Sequence, residues 1–262
     1  MEKLFVKILS ILFLPAFLAG CAAAGEREAA QGTGYQNTKI QWGVKKTEGE
    51  PPQIPAAWSE MLQRFDGYYL GGGGDSKKIF LTFDEGYEAG YTAPILDTLK
   101  EKNVPAAFFV TGAYLDKEGG LVRRMTDEGH IVGNHTVNHP SMPEVADDQK
   151  LEAEINGLEE KFFRLTGLHM KYLRPPKGEF SERTLAISQK LGYKTVLWSN
   201  AYVDWTGNGN SAKNALTQVT KYLHDGCIIL LHAVSRENAD ALGDIINSAR
   251  DMGYTFAGLE EL

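Results

Sequence analysis

The sequence predicts an α/β fold built on a parallel sheet, and three observations carry that prediction. From residue 78 onward, short apolar runs of strand length alternate with longer stretches whose apolar residues recur at helical spacing. Several helical stretches are followed by glycine, as at Gly129, Gly192 and Gly253, the residue that most readily ends a helix in a left-handed conformation. Polar residues follow directly on several apolar runs, at the strand ends where parallel α/β folds carry their chemistry. Alternation over this length suits either a barrel or an open doubly wound sheet.

The predicted strands are seven: Lys78 to Phe83, Ala106 to Thr111, Ile131 to Gly133, Tyr172 to Arg174, Thr195 to Ser199, Ile228 to Leu231 and Thr255 to Ala257. Helical patterns lie between them near 93–102, 120–128, 147–166, 182–191, 212–223 and 238–252. One further helix is expected near Trp58, and Gly71-Gly72-Gly73-Gly74 marks a flexible turn before the first strand.

Upstream of these elements the chain reads as an export signal and a tether. Lys3 and Lys7 precede an apolar run from Ile8 to Leu18, too short to span a membrane and shaped like a secretory signal over residues 1–20. It ends in Leu18-Ala19-Gly20-Cys21, which resembles the lipobox of bacterial lipoproteins and implies a lipid anchor on Cys21 at the outer face of the cytoplasmic membrane. Simple secretion or a signal anchor are the alternatives. Residues 21–60 are a tether by composition, small residues first, then polar ones, then Pro51, Pro52 and Pro55, which leaves 61–262 as the folded domain. The second cysteine, Cys227, lies in the apolar run Cys227 to Leu231 and is expected to pack as a small buried hydrophobe, so no disulfide framework is available.

Composition narrows the partners. Across 262 residues, 43% hydrophobic and 23% charged residues suit a folded protein and exclude a disordered one. A net charge of -7 provides no basic field for nucleic acid.

The polar residues at the predicted strand ends form a chemical set. The first strand runs into Asp84-Glu85-Gly86, the third into Asn134-His135-Thr136-Val137-Asn138-His139, and the fourth delivers Arg174 into Pro175-Pro176. The fifth is followed by Asn200 and then Asp204-Trp205, and the sixth ends in His232. His135 and His139 are four apart, a spacing that suits a divalent metal on one helical face, although Pro140 disfavours helix at His139 and favours an irregular loop. His130, His169 and His224 fall at helix ends or turns and read as structural or solvated, and Glu152 to Glu160 reads as a solvated helix face.

Amide hydrolysis needs an activated water, a base, stabilisation of the oxyanion and an acid for the departing amine. A metal on the two histidines and a carboxylate could polarise the acyl oxygen and acidify water, with Asp84 as base oriented by Arg174. His232 could protonate the nitrogen, steadied by Asp204, and a backbone N–H in the Pro176-Lys177-Gly178 turn could face the oxyanion.

Thr82-Phe83-Asp84-Glu85-Gly86, His135 to His139, Arg174-Pro175-Pro176-Lys177-Gly178, Asp204-Trp205 and Leu230-Leu231-His232 resemble, in order and spacing, the five motifs of the polysaccharide deacetylases, the NodB-like carbohydrate esterases of family four. Tyr87 to Thr92, Trp42-Gly43 and Val234 to Ala239 resemble the subgroup that deacetylates N-acetylmuramic acid on the way to muramic δ-lactam. The resemblance covers about residues 40–262 and implies a distorted parallel (β/α) barrel of about seven strands. It implies Asp84 as base held by Arg174, His232 as acid held by Asp204, and Trp205 and Leu231 lining the acyl pocket beside Lys177. It also implies a zinc-type divalent metal on His135, His139 and Glu85, where most of the family has aspartate at the last position. The implied substrate is peptidoglycan from which stem peptides have been stripped, and the implied setting is the spore cortex. General deacetylation of N-acetylglucosamine in peptidoglycan or another polysaccharide is the alternative within enzymes, and an inactive, membrane-tethered glycan-binding protein the alternative outside them.

Overall fold

A computed structural model describes residues 34–72, 77–206 and 211–262. The signal over 1–20 and Cys21 lie outside the described residues. In chain order the elements are β1 (Ile40–Gln41), α1 (Ala56–Arg64), β2 (Gly67–Tyr68), β3 (Lys78–Glu85), α2 (Thr92–Lys102), β4 (Ala107–Val110), α3 (Gly112–Lys117) and α4 (Gly119–Asp127). They continue as β5 (Ile131–Asn134), α5 (Asp148–Thr166), β6 (Tyr172–Leu173), β7 (Glu179–Phe180), α6 (Glu182–Lys190), β8 (Lys194–Val196), β9 (Asn200–Ala201), α7 (Ala212–Thr220), β10 (Ile228–His232), α8 (Arg236–Asp251) and β11 (Thr255–Phe256).

The main sheet runs β2-β8-β6-β5-β4-β3-β10-β9, every neighbour parallel, and β11 pairs with the first residues of β3. It curls into a half-barrel, as the distorted (β/α) barrel requires. Both faces of its strands are covered, which is why β3 and β10 read as nearly unbroken apolar runs. Alternate residues serve two cores: Ile79, Leu81 and Phe83 pack outward beneath the helices, and Phe80 packs inward with Phe109, Tyr172, Val196 and Ile228. Cys227 is buried and unbridged, and burial pushes its thiol up to about 12.

Gly71 shows why a glycine closes the turn before β3. A Cβ there would sit 2.0 Å from the Phe80 ring, and its N–H donates to the Gly226 carbonyl at 2.7 Å.

The tether boundary drawn at residue 60 falls inside folded chain. Ile40 and Gln41 pair antiparallel with Phe180 and Glu179, and Trp42 is buried against Phe180, Leu62 and Leu197. The Trp42 indole N–H donates to the Trp198 carbonyl at 2.9 Å, so the buried Trp42 pins this segment to the barrel wall. No helix of the described residues is long and apolar enough to cross a membrane.

Candidate active site

β3 and β10 run side by side in parallel, with His232 the register partner of Asp84. Period-two alternation turns Asp84 and His232 to the same inner face, and each is held from behind by a charged residue of another element.

Arg174, just after β6, is fully buried, and its Nη1 donates to Asp84 Oδ1 at 2.8 Å. Its Nε donates to the Val196 carbonyl at 3.0 Å, and its guanidinium lies 4.2 Å from the centre of the Phe109 ring. Burial pushes the Asp84 pKa up, but Arg174, His135 and His232 outweigh it and hold the carboxyl below its ordinary value. A base that stays ionised is the result.

His232 is held by a carboxylate in turn. Asp204, nearly fully buried, accepts from the His232 backbone N–H at 2.8 Å and sits 2.7 Å from its Nδ1. Since a carboxylate only accepts, Nδ1 carries a proton and Nε2 is left for the cleft. Burial lowers the His232 pKa, but the Asp204 hydrogen bond and charge raise it further, and the net shift is upward.

Sequence reasoning missed the residue that anchors this pair. Asn238, fully buried in the first turn of α8, donates to Asp204 Oδ2 at 2.6 Å and to the His232 carbonyl at 3.1 Å, and accepts from the Tyr202 hydroxyl. Two signals pointed to its neighbourhood without giving its role: the Val234 to Ala239 segment that carries the subgroup resemblance, and the helix start at Ser235, whose hydroxyl caps the Asn238 N–H.

His135 and His139 lie on a loop, not a helix, with left-handed φ at Thr136 and His139. Their rings meet edge-on, 4.8 Å apart. Asn134 shapes the loop by accepting from the Thr136 N–H at 2.9 Å, and Glu154 of α5 accepts from the Asn138 N–H at 2.8 Å and its side-chain amide at 2.6 Å. The acidic run of α5 is therefore not only a solvated face: Glu154 holds the histidine loop, and Glu159 accepts from the Met170 N–H at 3.0 Å. His130 and His224 are buried structural residues, and His169 pairs with Glu159 at the surface.

The His135 Nδ1 donates to the Arg174 carbonyl at 2.7 Å, so its lone-pair nitrogen, Nε2, faces Asp84 Oδ2 at 3.5 Å. Burial lowers the pKa of both imidazoles, and His139, with His135 beside it, is pushed down to about 4. Two neutral imidazoles suit a divalent metal.

Glu85 does not complete that set. Strand alternation turns it to the outer face, where it is fully buried and neither carboxyl oxygen accepts a hydrogen bond. Burial, then the charges of Glu88 and Asp84, hold its pKa well above the ordinary value; the Thr92 hydroxyl would favour the ionised form, but its proton goes to Glu88. Among the described residues, no three His, Cys, Asp or Glu side chains converge as metal ligands. The three-ligand site expected from the sequence is not formed among the described residues.

Leu231, expected at the acyl pocket, does not line the cleft. It packs outward in the main core with Phe83, its register partner, while Leu230 shares the inner face with His232 and lines the cleft. Trp205 does stand at the site, half exposed, with its ring 4.9 Å from the His232 ring. Asp84, His135, His139, Lys177, Trp205 and His232 all border one open cleft of about 1110 Å³, larger than a typical small-molecule pocket.

The sequence model described as polysaccharide deacetylase matches residues 71–196. The chain is 42% identical over 237 residues to the peptidoglycan-N-acetylmuramic acid deacetylase PdaA of Bacillus subtilis, covering 89% of both chains. The chain belongs to the polysaccharide deacetylase family. A peptidoglycan-N-acetylglucosamine deacetylase of Bacillus cereus is 33% identical over 231 residues, with 87% of this chain and 80% of that one covered. The solved structure of Bacillus subtilis PdaA, a family 4 carbohydrate esterase, superposes with a TM-score of 0.83 at 41% identity, over 87% of this chain and 97% of that one. Deacetylases of this family hydrolyse carbon–nitrogen bonds and are metal-dependent.

Proposed function

We propose that this deacetylase removes the acetyl group from N-acetylmuramic acid residues of peptidoglycan. The observation that carries the reading is that Asp84, held by Arg174, and His232, held by Asp204, stand abreast on adjacent strands at the wall of an open cleft of about 1110 Å³.

In the proposed reaction the Asp84 carboxylate takes a proton from water as its oxygen adds to the acetyl carbonyl carbon. Arg174 keeps Asp84 ionised and aimed. Of the Pro176-Lys177-Gly178 amides, proline has no N–H and Gly178 donates to the Pro175 carbonyl at 3.1 Å, which leaves the Lys177 N–H as that turn's donor for the oxyanion. His232 gives its Nε2 proton to the sugar nitrogen as the C–N bond breaks, releasing acetate and a free amine. Trp205, packed on His232, walls the acetyl group. On muramic acid the freed amine then lies near the lactyl carboxyl, and their condensation with loss of water gives the δ-lactam of spore cortex. Similarity to PdaA supports the substrate, and the export signal with Cys21 read from the sequence supports an enzyme tethered outside the cytoplasmic membrane, facing its glycan.

Incubation with peptidoglycan, with and without prior removal of stem peptides, tests the reading: acetate release and a mass-spectrometric δ-lactam signal on the stripped material are expected. Acetate from glucosamine residues alone would favour the second reading, supported by the Bacillus cereus relative, of an N-acetylglucosamine deacetylase. An inactive glycan-binding role gives no reason for two separately held acid and base residues.

A further inference from the structure

Muramic acid differs from glucosamine by a lactyl ether at O3, one carbon from the acetamido group. Once the stem peptide is gone, that ether ends in a carboxylate, ionised at neutral pH. A cleft that prefers it must present an unpaired cation close to Asp84 and His232.

The basic residues that border the cleft are few. Lys161 is committed to Asp116 at 2.6 Å, and the buried Lys46 ammonium sits over the Tyr222 ring at 4.3 Å. Arg174, behind the cleft, is committed to Asp84. Lys177 is exposed, borders the same cleft as Asp84 and His232, and makes no ion pair among the described residues; the carboxylate its charge acts on, Glu144, is itself paired with Lys39 at 2.6 Å.

Its backbone is fixed. Lys177 and Gly178 are successive left-handed residues, with φ of 60° and 66°. The Gln41 side-chain amide donates to the Lys177 carbonyl at 2.7 Å, and the Trp42 N–H to the Gly178 carbonyl at 2.8 Å. A Cβ on Gly178 would lie 2.8 Å from the Trp198 ring, so the turn has no room to shift. Glycine or asparagine would suit the conformation of residue 177 better than lysine.

We propose that Lys177 is the specificity-determining residue of this cleft, its ammonium pairing with the free lactyl carboxylate of a peptide-stripped muramic acid residue. The inference rests on the muramic acid reading above. It also explains a requirement for stripped glycan: an amide-linked stem removes the charge that Lys177 would meet.

The test is steady-state acetate release by the full chain and its Lys177 variants, on peptide-stripped muramic glycan and on an N-acetylglucosamine tetramer. Lys177→Gln should raise KM for the stripped glycan about 10- to 100-fold, as loss of a charge-assisted hydrogen bond does, and far less for the N-acetylglucosamine tetramer, which has no carboxylate for the ammonium to meet. Lys177→Arg should keep KM within about threefold of the parent, and Lys177→Gly, which the left-handed backbone accepts, should repeat the Gln result if that variant folds poorly. An unchanged KM in the Gln and Gly variants, with the parent active on muramic glycan, overturns the role of Lys177 alone. A parent active only on the glucosamine tetramer overturns the muramic acid reading and this inference with it.

Discussion

Asp84 and His232 are register partners on adjacent parallel strands, and each is held by a different element, Asp84 by Arg174 after β6 and His232 by Asp204 after β9. Base and acid thus share a rigid base line but answer to separate electrostatic partners, so they can be perturbed one at a time.

Asp84→Asn leaves an acceptor for Arg174 but removes the charge. Loss of a general base should lower kcat about 10³-fold. Arg174 is fully buried, so stripping it of its counter-ion should also cost about 3 kcal/mol of stability. Acetate-release kinetics and thermal melting of the same sample check both halves, and retained turnover would refute the assignment of the base.

The pH profile follows from the two shifts. His232 must be protonated to act as acid, and its raised pKa places the alkaline limb above the ordinary imidazole value; Asp84 must be ionised, and its lowered pKa places the acid limb below the ordinary carboxylate value. Asp204→Asn removes the charge that raises His232, so the alkaline limb should move to lower pH while the acid limb stays. A profile of kcat/KM against pH for parent and variant reads this directly.

Asn238→Ala should lower kcat about tenfold, with little change in KM, because it frees Asp204 and His232 to reorient without touching substrate. The donors to Asp204 and to the His232 carbonyl both go. A purely structural role would lower the melting temperature and leave the alkaline limb in place; a positioning role moves that limb downward.

The catalytic pairs were legible because charged residues directly follow apolar runs, and a parallel sheet gathers all its strand ends on one rim. Parity within a strand was not. Ile228 to Leu231 is apolar throughout because both faces of β10 are covered, so nothing in the pattern tells whether Leu230 or Leu231 faces the cleft. The same ambiguity in β3 hid the outward turn of Glu85. Glu154 lies in a run that reads as a solvated helix face and Asn238 in a segment whose resemblance gives it no role, and only tertiary packing brings them to the histidine loop and to Asp204. Six strands have only two residues, too few for any period to register: β6 and β11 were found only as strand-length runs between helical patterns, while β1, β2, β7 and β9, like the six-residue α3, went unread.

Glu85 gives the sharpest test of the geometry. An outward carboxyl cannot share a metal with His135 and His139, so metal content measured by atomic spectroscopy should be unchanged in Glu85→Gln and reduced in His139→Ala. Its raised pKa makes a second demand. A carboxyl whose folded pKa exceeds its unfolded value stabilises the fold when protonated in both states, below the unfolded pKa, and loses that contribution as pH rises through the folded value. The neutral Gln isostere carries no such dependence. Its melting temperature should therefore match the parent's below the ordinary glutamate pKa and exceed it increasingly as pH rises. Parallel melting curves across that range, or metal loss in Glu85→Gln equal to that in His139→Ala, would place Glu85 in the cleft after all.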